Sequence, residues 1–301
     1  MSSLDAARSY ILTLSCPDRV GIVAAISGHL ARIGGFIVDS QQYADLDAGR
    51  FFLRIEFKAD GKAFPGSLEE LRAGLSPIAK QHEMNWELLP STHRPKLLIA
   101  VSKGSHCLND LLHRWQTGNL PVDIVGVVSN HPDLRGLAEW HGVPFHYLPV
   151  SADKKDEQEA ELLSIFARTA ADYLVLARYM QVLSSGMADR LSGRCLNIHH
   201  SFLPSFKGAR PYHRAHERGV KLIGATAHFV TRDLDEGPII EQDVERVDHR
   251  ATDEDLVRIG RDIEARVLAR AVRWTAERRV FLNGIRTVVS LRSQRELSVR
   301  S

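Results

Sequence analysis

The sequence predicts an α/β protein with two domains, a small βαββαβ domain followed by a Rossmann-like, mostly parallel sheet with helices on both faces. The chain has 301 residues, which is more than one typical domain and enough for two buried cores. Apolar segments in about the first ninety residues follow the βαββαβ order of ferredoxin-like folds. Beyond them, nearly continuous apolar strands alternate with helices, which is typical of a parallel sheet covered on both faces.

The composition argues against several classes of protein. The formal net charge is +2, with 44% hydrophobic and 25% charged residues, so we expect no nucleic-acid partner and no membrane partner. No stretch approaches the roughly 18 apolar residues of a membrane helix, and the first residues lack a secretory pattern, which predicts a cytoplasmic protein. Cys16, Cys107 and Cys195 show no C-x-x-C spacing, so we expect buried, reduced thiols.

The first domain is predicted to occupy residues 1–89. A strand at about residues 10–14 precedes a helix that Gly34 and Gly35 terminate. The helix has an apolar stripe at helical spacing, formed by Ile22, Ile26, Leu30 and Ile33. Two strands joined near Gly49, a second helix and a closing strand in NWELLP complete the βαββαβ pattern.

A short polar segment bounded by prolines, residues 90–95, is the predicted linker. The second domain is predicted over residues 96–290, and residues 291–301 are expected to form a flexible tail. The second domain has no GxGxxG motif, so nothing supports dinucleotide binding. Asn283-Gly284 predicts a hairpin, which we expect to close the edge of the sheet.

Polar groups of catalytic type are densest between Leu196 and Asp243. Asn197 and His199 alternate with apolar residues in CLNIH, so a strand would point both side chains to one face. Asp235 lies in the turn TRDLDEGP after the next apolar strand. These groups suit acyl chemistry, with Asn197 stabilising an oxyanion, His199 moving a proton, and Asp235 acting as a base or fixing the imidazole tautomer. The ordinary alternative is that they only make structural hydrogen bonds and turns.

Several long motifs carry a resemblance to known families. NIHHSFLPSFKGARPYH and GATAHFVTRDLDEGPII resemble the formyltransferases and hydrolases that use 10-formyltetrahydrofolate, and LARYMQVL and LDEGPII are most similar to the deformylases among them. CPDRVGIVAAIS resembles part of an ACT domain, a small ligand-sensing module. The resemblance implies a formyltransferase fold for the second domain. It also implies that the catalytic residues are Asn197, His199 and Asp235.

The resemblance further implies binding residues and an assembly. The positions that contact folate in the family fall on Arg178, Tyr179, Met180, Val182, Leu183 and His228. Plain core packing is the alternative for the apolar members of this set. In the ACT domain, Asp18 and Gly21 are the candidate positions for an amino-acid effector, with N-capping of the next helix as the alternative role of Asp18. Side-by-side pairing of ACT sheets implies a homo-oligomer, either a dimer or a tetramer.

The implied activity is hydrolysis of the substrate 10-formyltetrahydrofolate to tetrahydrofolate and formate, without a permanently bound cofactor and without a metal. Transfer of the formyl group to an amine and a non-catalytic folate or amino-acid sensor are the alternatives. The loop SKGSHCLND lacks the glycine-rich phosphate loop of the ribonucleotide-dependent transferases, which favours hydrolysis. Burial beside an apolar pocket is expected to raise the pKa of Asp235.

Overall fold

The computed structural model describes residues 8–61, 63–151, 154–203 and 211–291, which form two compact units. The first unit comprises the described residues up to His93, Arg278–Phe281 and those from Val288 onward, and the second comprises Arg94–Glu277 and Leu282–Thr287. Residues 292–301 of the predicted tail and residues 204–210 of the central stretch lie outside the described residues. The domain boundaries given above stay predictions.

The first unit has the predicted βαββαβ order. Its elements are β1 (Ser9–Pro17), α1 (Ile22–Arg32), β2 (Gly35–Asp45), β3 (Arg50–Ala59), α2 (Leu68–Gln81) and β4 (Asn85–Pro90). The strands form one antiparallel sheet in the order β2-β3-β1-β4. Alternate residues of β1, such as Leu12 and Leu14, are buried and share a core with Ile22, Ile26 and Leu30 of α1, because the strand period and the helical stripe meet there.

The loop between β1 and α1 carries the two candidate effector residues. Gly21 occupies the N-cap position of α1 with φ of +96°, a left-handed conformation that favours glycine. In the part of the chain that the structure describes, no side chain caps α1, so the alternative role of Asp18 as an N-cap is wrong. Asp18 is exposed, and its backbone N–H donates to the carbonyl of Gly49 at 2.9 Å. Its carboxylate therefore lies on the surface of this unit.

The second unit is built around a seven-stranded sheet. Its elements are β5 (Lys96–Val101), α3 (His106–Gln116), β6 (Asp123–Ser129), α4 (Arg135–Trp140), β7 (Phe145–Tyr147), α5 (Lys155–Arg168), β8 (Tyr173–Leu176), α6 (Ser185–Arg190), β9 (Cys195–His199), α7 (Pro211–Glu217), β10 (Leu222–Phe229), β11 (Ile239–Arg246) and α8 (Asp253–Ala276). The strand order is β11-β10-β9-β8-β5-β6-β7. The strands β9, β8, β5, β6 and β7 pair in parallel, whereas β10 pairs antiparallel with both β9 and β11. The predicted mostly parallel sheet is confirmed.

The connection between β10 and β11 remains close to β9. The Phe229 N–H donates to the Pro238 carbonyl at 2.9 Å and closes the loop. The Val230 N–H donates to the Cys195 carbonyl at 2.8 Å and ties the start of the loop to β9. These two bonds keep the polar turn TRDLDEGP within reach of the side chains of β9.

The hairpin around Gly284 forms as predicted, from β12 (Val280–Asn283) and β13 (Arg286–Val289). It is a separate two-stranded sheet, so the prediction that it closes the edge of the large sheet was wrong. The edge strand there is β11, whose last residues, including Glu245 and Arg246, are exposed. Charged side chains protect such an edge against further pairing, and no covering strand is needed.

The three cysteines are free and buried, as expected. Burial raises the pKa of the Cys16, Cys107 and Cys195 thiols, which keeps them protonated and unreactive. Within the described ranges, none of the helices combines the length and the apolar character needed to cross a bilayer.

Candidate active site

Asn197 and His228 face each other across two antiparallel strands. The register of β9 and β10 places them opposite one another, and Asn197 Nδ2 lies 3.2 Å from His228 Nε2. His228 Nδ1 donates to the carbonyl of Phe229 at 2.8 Å. A neutral His228 therefore presents Nε2 as an acceptor for the Asn197 amide, which orients the amide group.

Asp235 joins this pair from the loop after β10. Its Oδ2 lies 3.2 Å from His199 Nδ1, and its Oδ1 lies 3.7 Å from His228 Nε2. Its backbone has φ of +57°, in the left-handed region that Asp tolerates better than most residues. The structure thus brings Asn197, His199 and Asp235 together, although the third residue is separated from the others by a whole strand.

The expected raised pKa of Asp235 was wrong. Burial does raise it, but the hydrogen bond from His199, the one from His228 when that ring is protonated, and the charges of both imidazoles in their protonated form outweigh burial and hold the pKa of Asp235 below its ordinary value. The carboxylate is therefore ionised at neutral pH. An ionised partner suits the fixing of an imidazole better than the acceptance of a proton from water.

Of the two ring nitrogens of His199, Nδ1 has a polar partner among the described residues and Nε2 has none. Its Nδ1 faces Asp235, which makes Nδ1 the protonated nitrogen of the neutral ring. Its Nε2 is buried, and none of the residues that the structure describes gives it a hydrogen-bond partner. Buried polar atoms are usually paired, so this lone pair points to a role with a substrate or a water molecule.

Gly237 allows the loop with Asp235 to close onto β10. A Cβ at this position would lie 1.7 Å from the Phe229 carbonyl oxygen. The loop is also anchored at its other side, where Arg232 forms an ion pair with Asp189 of α6. The position of Asp235 therefore depends on the lack of a side chain two residues further along the chain.

A cleft of about 260 Å³ opens beside the three catalytic candidates. Its lining includes all the positions that the resemblance implies for folate: Arg178, Tyr179, Met180, Val182, Leu183 and His228. Three large apolar side chains at the cleft are unusually exposed, namely Met180 (57%), Val182 (55%) and Leu234 (60%). Apolar surface next to a few fixed polar groups is typical of a small-molecule site.

Tyr179 differs from its neighbours because most of its ring is buried in the core of the second unit. Gln158 Nε2 donates to its hydroxyl oxygen at 2.6 Å, and burial raises the pKa of the phenol. Tyr179 therefore supports the cleft wall mainly through packing.

The wall segment after β8 has no regular structure and is held by side chains from elsewhere. The Met180 N–H donates to Ser102 Oγ at 3.0 Å. The Ser184 N–H donates to Glu159 Oε1 at 2.7 Å, and the Ser184 hydroxyl donates to the other oxygen of this buried carboxylate. Both ends of the segment are thus fixed before a ligand arrives.

Glu264 of α8, Leu234 and the contacts around them were not predicted from the sequence. The signal for Glu264 was a carboxylate on the buried stripe of a long helix, between Ile263 and Val267. Leu234 could have been suspected because it is the one apolar side chain in the turn TRDLDEGP. Neither signal identifies a contact without the fold.

A metal at the buried group His106, Cys107 and Glu264 does not fit the chemistry of this group. Their ligand atoms lie within 4.8 Å of one another. The Glu264 oxygens already accept from His106 and Tyr212, and they form an ion pair with the Arg178 guanidinium, which would repel a cation. Burial raises the pKa of the Cys107 thiol well above its ordinary value, so it is not a thiolate ligand.

Comparisons with known proteins cover both domains. The family model described as formyl transferase matches residues 95–272, and the model described as ACT domain matches residues 9–88. A protein of Corynebacterium sp. (strain P-1) named formyltetrahydrofolate deformylase is 54% identical over 280 residues, which cover 93% of this chain and 97% of that protein.

Solved structures show the same similarity. The crystal structure of formyltetrahydrofolate deformylase from Burkholderia mallei has a TM-score of 0.90 at 54% identity and covers 94% of this chain and 100% of its own. Glycinamide ribonucleotide transformylase 1 from Symbiobacterium toebii has a TM-score of 0.62 at 33% identity and covers 65% of this chain and 94% of its own.

The fold and the site define an enzyme of formyl-group chemistry, in which a formyltransferase-type catalytic domain follows an ACT domain. The deformylase relatives match both domains, whereas the transformylase matches about two thirds of the chain. The chain belongs to the formyltetrahydrofolate deformylase family.

Proposed function

We propose that this protein hydrolyses 10-formyltetrahydrofolate to tetrahydrofolate and formate, and that Asn197, His199 and Asp235 catalyse the reaction. The observation that carries the site assignment is the open, buried Nε2 of His199, whose other nitrogen faces an ionised Asp235. This pair lies beside an apolar cleft, as the hydrolysis of a bound ring compound requires.

The first step is attack of water on the formyl carbon. His199 Nε2 takes one proton from the water, and the water oxygen forms the new bond to carbon. Asp235 accepts the hydrogen bond from Nδ1 and stabilises the imidazolium that forms, as the carboxylate does in Ser-His-Asp enzymes. In the second step the bond from carbon to N10 breaks, and His199 returns the proton to N10. The products are tetrahydrofolate and formic acid, which loses its remaining proton to solvent and becomes formate.

Asn197 is the donor for the oxyanion that forms between the two steps. Its amide is oriented by His228, whose tautomer is set by a backbone carbonyl. A fixed donor of this kind stabilises a tetrahedral intermediate by about 3–4 kcal/mol. His228 thus acts on the reaction through Asn197, in addition to lining the cleft.

The cleft binds the ring system of the folate. At about 260 Å³ it lies at the small end of ligand pockets, so it has room for a ring system but not for the whole molecule. The exposed side chains of Met180, Val182 and Leu234 provide apolar surface for the ring at the cleft. The rest of the folate extends from the mouth of the cleft.

Formate release from the purified protein, supplied with 10-formyltetrahydrofolate and no amine, tests the activity. We expect release that depends on His199 and Asp235. Release that appears only after addition of an amine acceptor would instead identify a formyltransferase. Folate binding without turnover under either condition would identify a sensor.

Regulation, assembly and location complete the proposal. An ACT domain suggests an amino-acid effector, with Asp18 and Gly21 as its candidate contacts. We propose that the protein is a homo-oligomer through its ACT domains and acts in the cytoplasm, where free thiols such as its three cysteines stay reduced. Binding of labelled amino acids and light scattering test the first two points.

A further inference from the structure

A second cavity, of about 750 Å³, adjoins the catalytic cleft and shares Arg178, Met180 and His200 with it. A buried carboxylate, Glu264 of α8, lies in the wall of this cavity with only 1% of its surface exposed. It has no part in the mechanism above. It is nevertheless connected to His199 by a series of contacts through Arg178 and His200.

Glu264 makes polar contacts with three side chains among the residues that the structure describes. Oε1 accepts from the Tyr212 hydroxyl at 2.7 Å. Oε2 lies 2.8 Å from His106 Nε2 and 3.2 Å from Arg178 Nε. Burial raises the pKa of Glu264, but these three partners together hold it below its ordinary value. The carboxylate is therefore ionised.

The fold alone does not require a charge at this position. A buried ion pair is weak evidence for stability, because well-packed apolar side chains usually stabilise a core at least as well. The neighbours of Glu264 on α8, Ile263 and Val267, are apolar and completely buried. The Tyr212 ring packs on Gly260, where a Cβ would come within 2.1 Å of it, and this packing brings its hydroxyl to Glu264. The site is therefore built around the carboxylate.

Arg178 connects this carboxylate to the active site. Its Nε pairs with Glu264, and another nitrogen of the same guanidinium, Nη1, contacts His200 Nδ1. Its backbone has φ of +64°, a conformation that costs a residue other than glycine about 1 kcal/mol or more. A lysine has the same charge but only one nitrogen, which cannot occupy the positions of Nε and Nη1 at the same time.

His200 contacts His199 and limits the orientation of its ring. The two rings are stacked with centroids 5.0 Å apart and an interplanar angle of 26°. Burial, followed by the charge of Arg178, lowers the pKa of His200 to about 4. His200 is therefore neutral, accepts at Nδ1 and carries its proton on Nε2. Asp235 fixes one edge of the His199 ring, and His200 fixes one face.

We propose that Glu264 is a positioning residue. It orients His199 through Arg178 and His200, and it balances the positive charge of Arg178. This inference rests on the proposed function, because it assigns His199 the role of proton carrier.

The charges around His199 predict the direction in which the pH profile of Glu264→Gln shifts. Asp235 faces His199 from the loop after β10, and His228 contacts Asp235 in turn. His200 stacks on His199, and Arg178 and Glu264 lie beyond His200. Of the groups that Glu264 contacts, Tyr212 also lies beside His200, with ring centroids 6.3 Å apart, and His106 contacts the same Glu264 oxygen as Arg178. Glu264→Gln removes one negative charge and leaves Arg178 uncompensated. An uncompensated cation opposes protonation of a nearby imidazole, so the acid limb of kcat/KM should move to lower pH.

The first experiment compares the pH profile of Glu264→Gln with that of the wild type. We expect a kcat about 10–100-fold lower, a KM within about threefold and an acid limb shifted down by about 0.5–1 pH unit. Glu241→Gln is the matched control, since Glu241 is a partly buried carboxylate that pairs with Arg270, outside these contacts. It should keep the wild-type profile. A Glu264→Gln protein with a lowered melting temperature but the wild-type kcat and profile would overturn the proposal.

The second experiment does not depend on activity or on one variant. Nitrogen-15 spectra of the imidazoles in the free wild-type enzyme should show a single Nε2–H tautomer for His200, and Arg178→Lys should show a mixture together with a kcat at least about tenfold lower. A single tautomer and unchanged kcat in Arg178→Lys would contradict the proposal, even if Glu264→Gln fails to fold. If the wild type releases no formate, the proposed function fails, whereas the tautomer result still decides whether Glu264 and Arg178 position His200.

Discussion

Replacement of Asp235 by Asn tests the active site with little change in its shape. Asn tolerates the left-handed backbone at this position, where φ is +57°, at least as well as Asp. The side chain keeps its size but loses its charge. Its amide can then donate to His199 Nδ1, which moves the proton to Nε2 and removes the base.

The expected loss of turnover is large. Removal of the charge of the carboxylate in a Ser-His-Asp enzyme lowers kcat by about 10⁴ through the wrong tautomer. Because Asp235 contacts both His199 and His228, we expect a comparable decrease of about 10³–10⁴, which corresponds to about 4–5.5 kcal/mol in the barrier. Formate release under substrate saturation measures it. Asp233→Asn, an exposed change in the same loop, is the control and should keep wild-type turnover.

The pKa of Asp235 adds a stability signature. A carboxyl group whose pKa is lowered by folding stabilises the fold fully above the ordinary value near 4, and this contribution is lost as the pH falls toward the folded value. Asp235→Asn should therefore lower the free energy of unfolding at pH 7, and the difference from the wild type should shrink below about pH 4. Turnover of Asp235→Asn within tenfold of the wild type would refute the assigned role of the carboxylate.

Three other substitutions separate catalysis, loop geometry and binding. Asn197→Ala should lower kcat about 10²–10³-fold with little change in KM, as measured by initial rates, because one oxyanion donor is lost; an unchanged kcat would exclude that role. Gly237→Ala should lower kcat at least tenfold and reduce the melting temperature, because the new Cβ would displace the loop of Asp235 from the Phe229 carbonyl; wild-type values of both would contradict the loop argument. Glu159→Gln should raise KM several-fold more than it lowers kcat, because it weakens the anchor of Ser184; a pure kcat effect would be inconsistent with a binding wall.

The elements of the fold could be predicted because their signals are local. Period-two and helical patterns located the strands and helices of both units, and the Asn283-Gly284 turn predicted its hairpin. The place of that hairpin was predicted wrongly, since the edge of a sheet is decided by contacts distant in sequence. The charged end of β11, at Glu245 and Arg246, protects the edge by itself.

The residues of the site could be predicted from the sequence, but the direction of the pKa shift of Asp235 could not. Alternation in CLNIH indicated that Asn197 and His199 share a face. The pKa of Asp235 depends on His199 and His228 being on the same side of two paired strands, which only the register of β9 and β10 establishes. Burial alone gave the wrong sign because it omits these partners.

The contacts of Glu264 could not be predicted from patterns in the sequence. The buried stripe of α8 could identify an unexpected carboxylate, but its partners are 158 positions away for His106 and 52 positions away for Tyr212. No local rule connects such distances. The same limit applies to the contact between His199 and Asp235, which lie before and after β10 in the sequence.

The backbone at the cleft indicates how the site is held. Arg178 and Asp235 are two residues other than glycine with positive φ. The Asp235 side chain contacts His199 and His228, and the Arg178 side chain contacts His200. Such conformations cost about 1 kcal/mol or more each and persist only where the surrounding contacts impose them. For Asp235 the contacts are the two histidines and the closed loop, and for Arg178 they are Glu264 and the Ser102 N–H, which donates to its carbonyl at 3.3 Å. The orientation of His199 is therefore a property of the packed second unit and not of the strand that carries it.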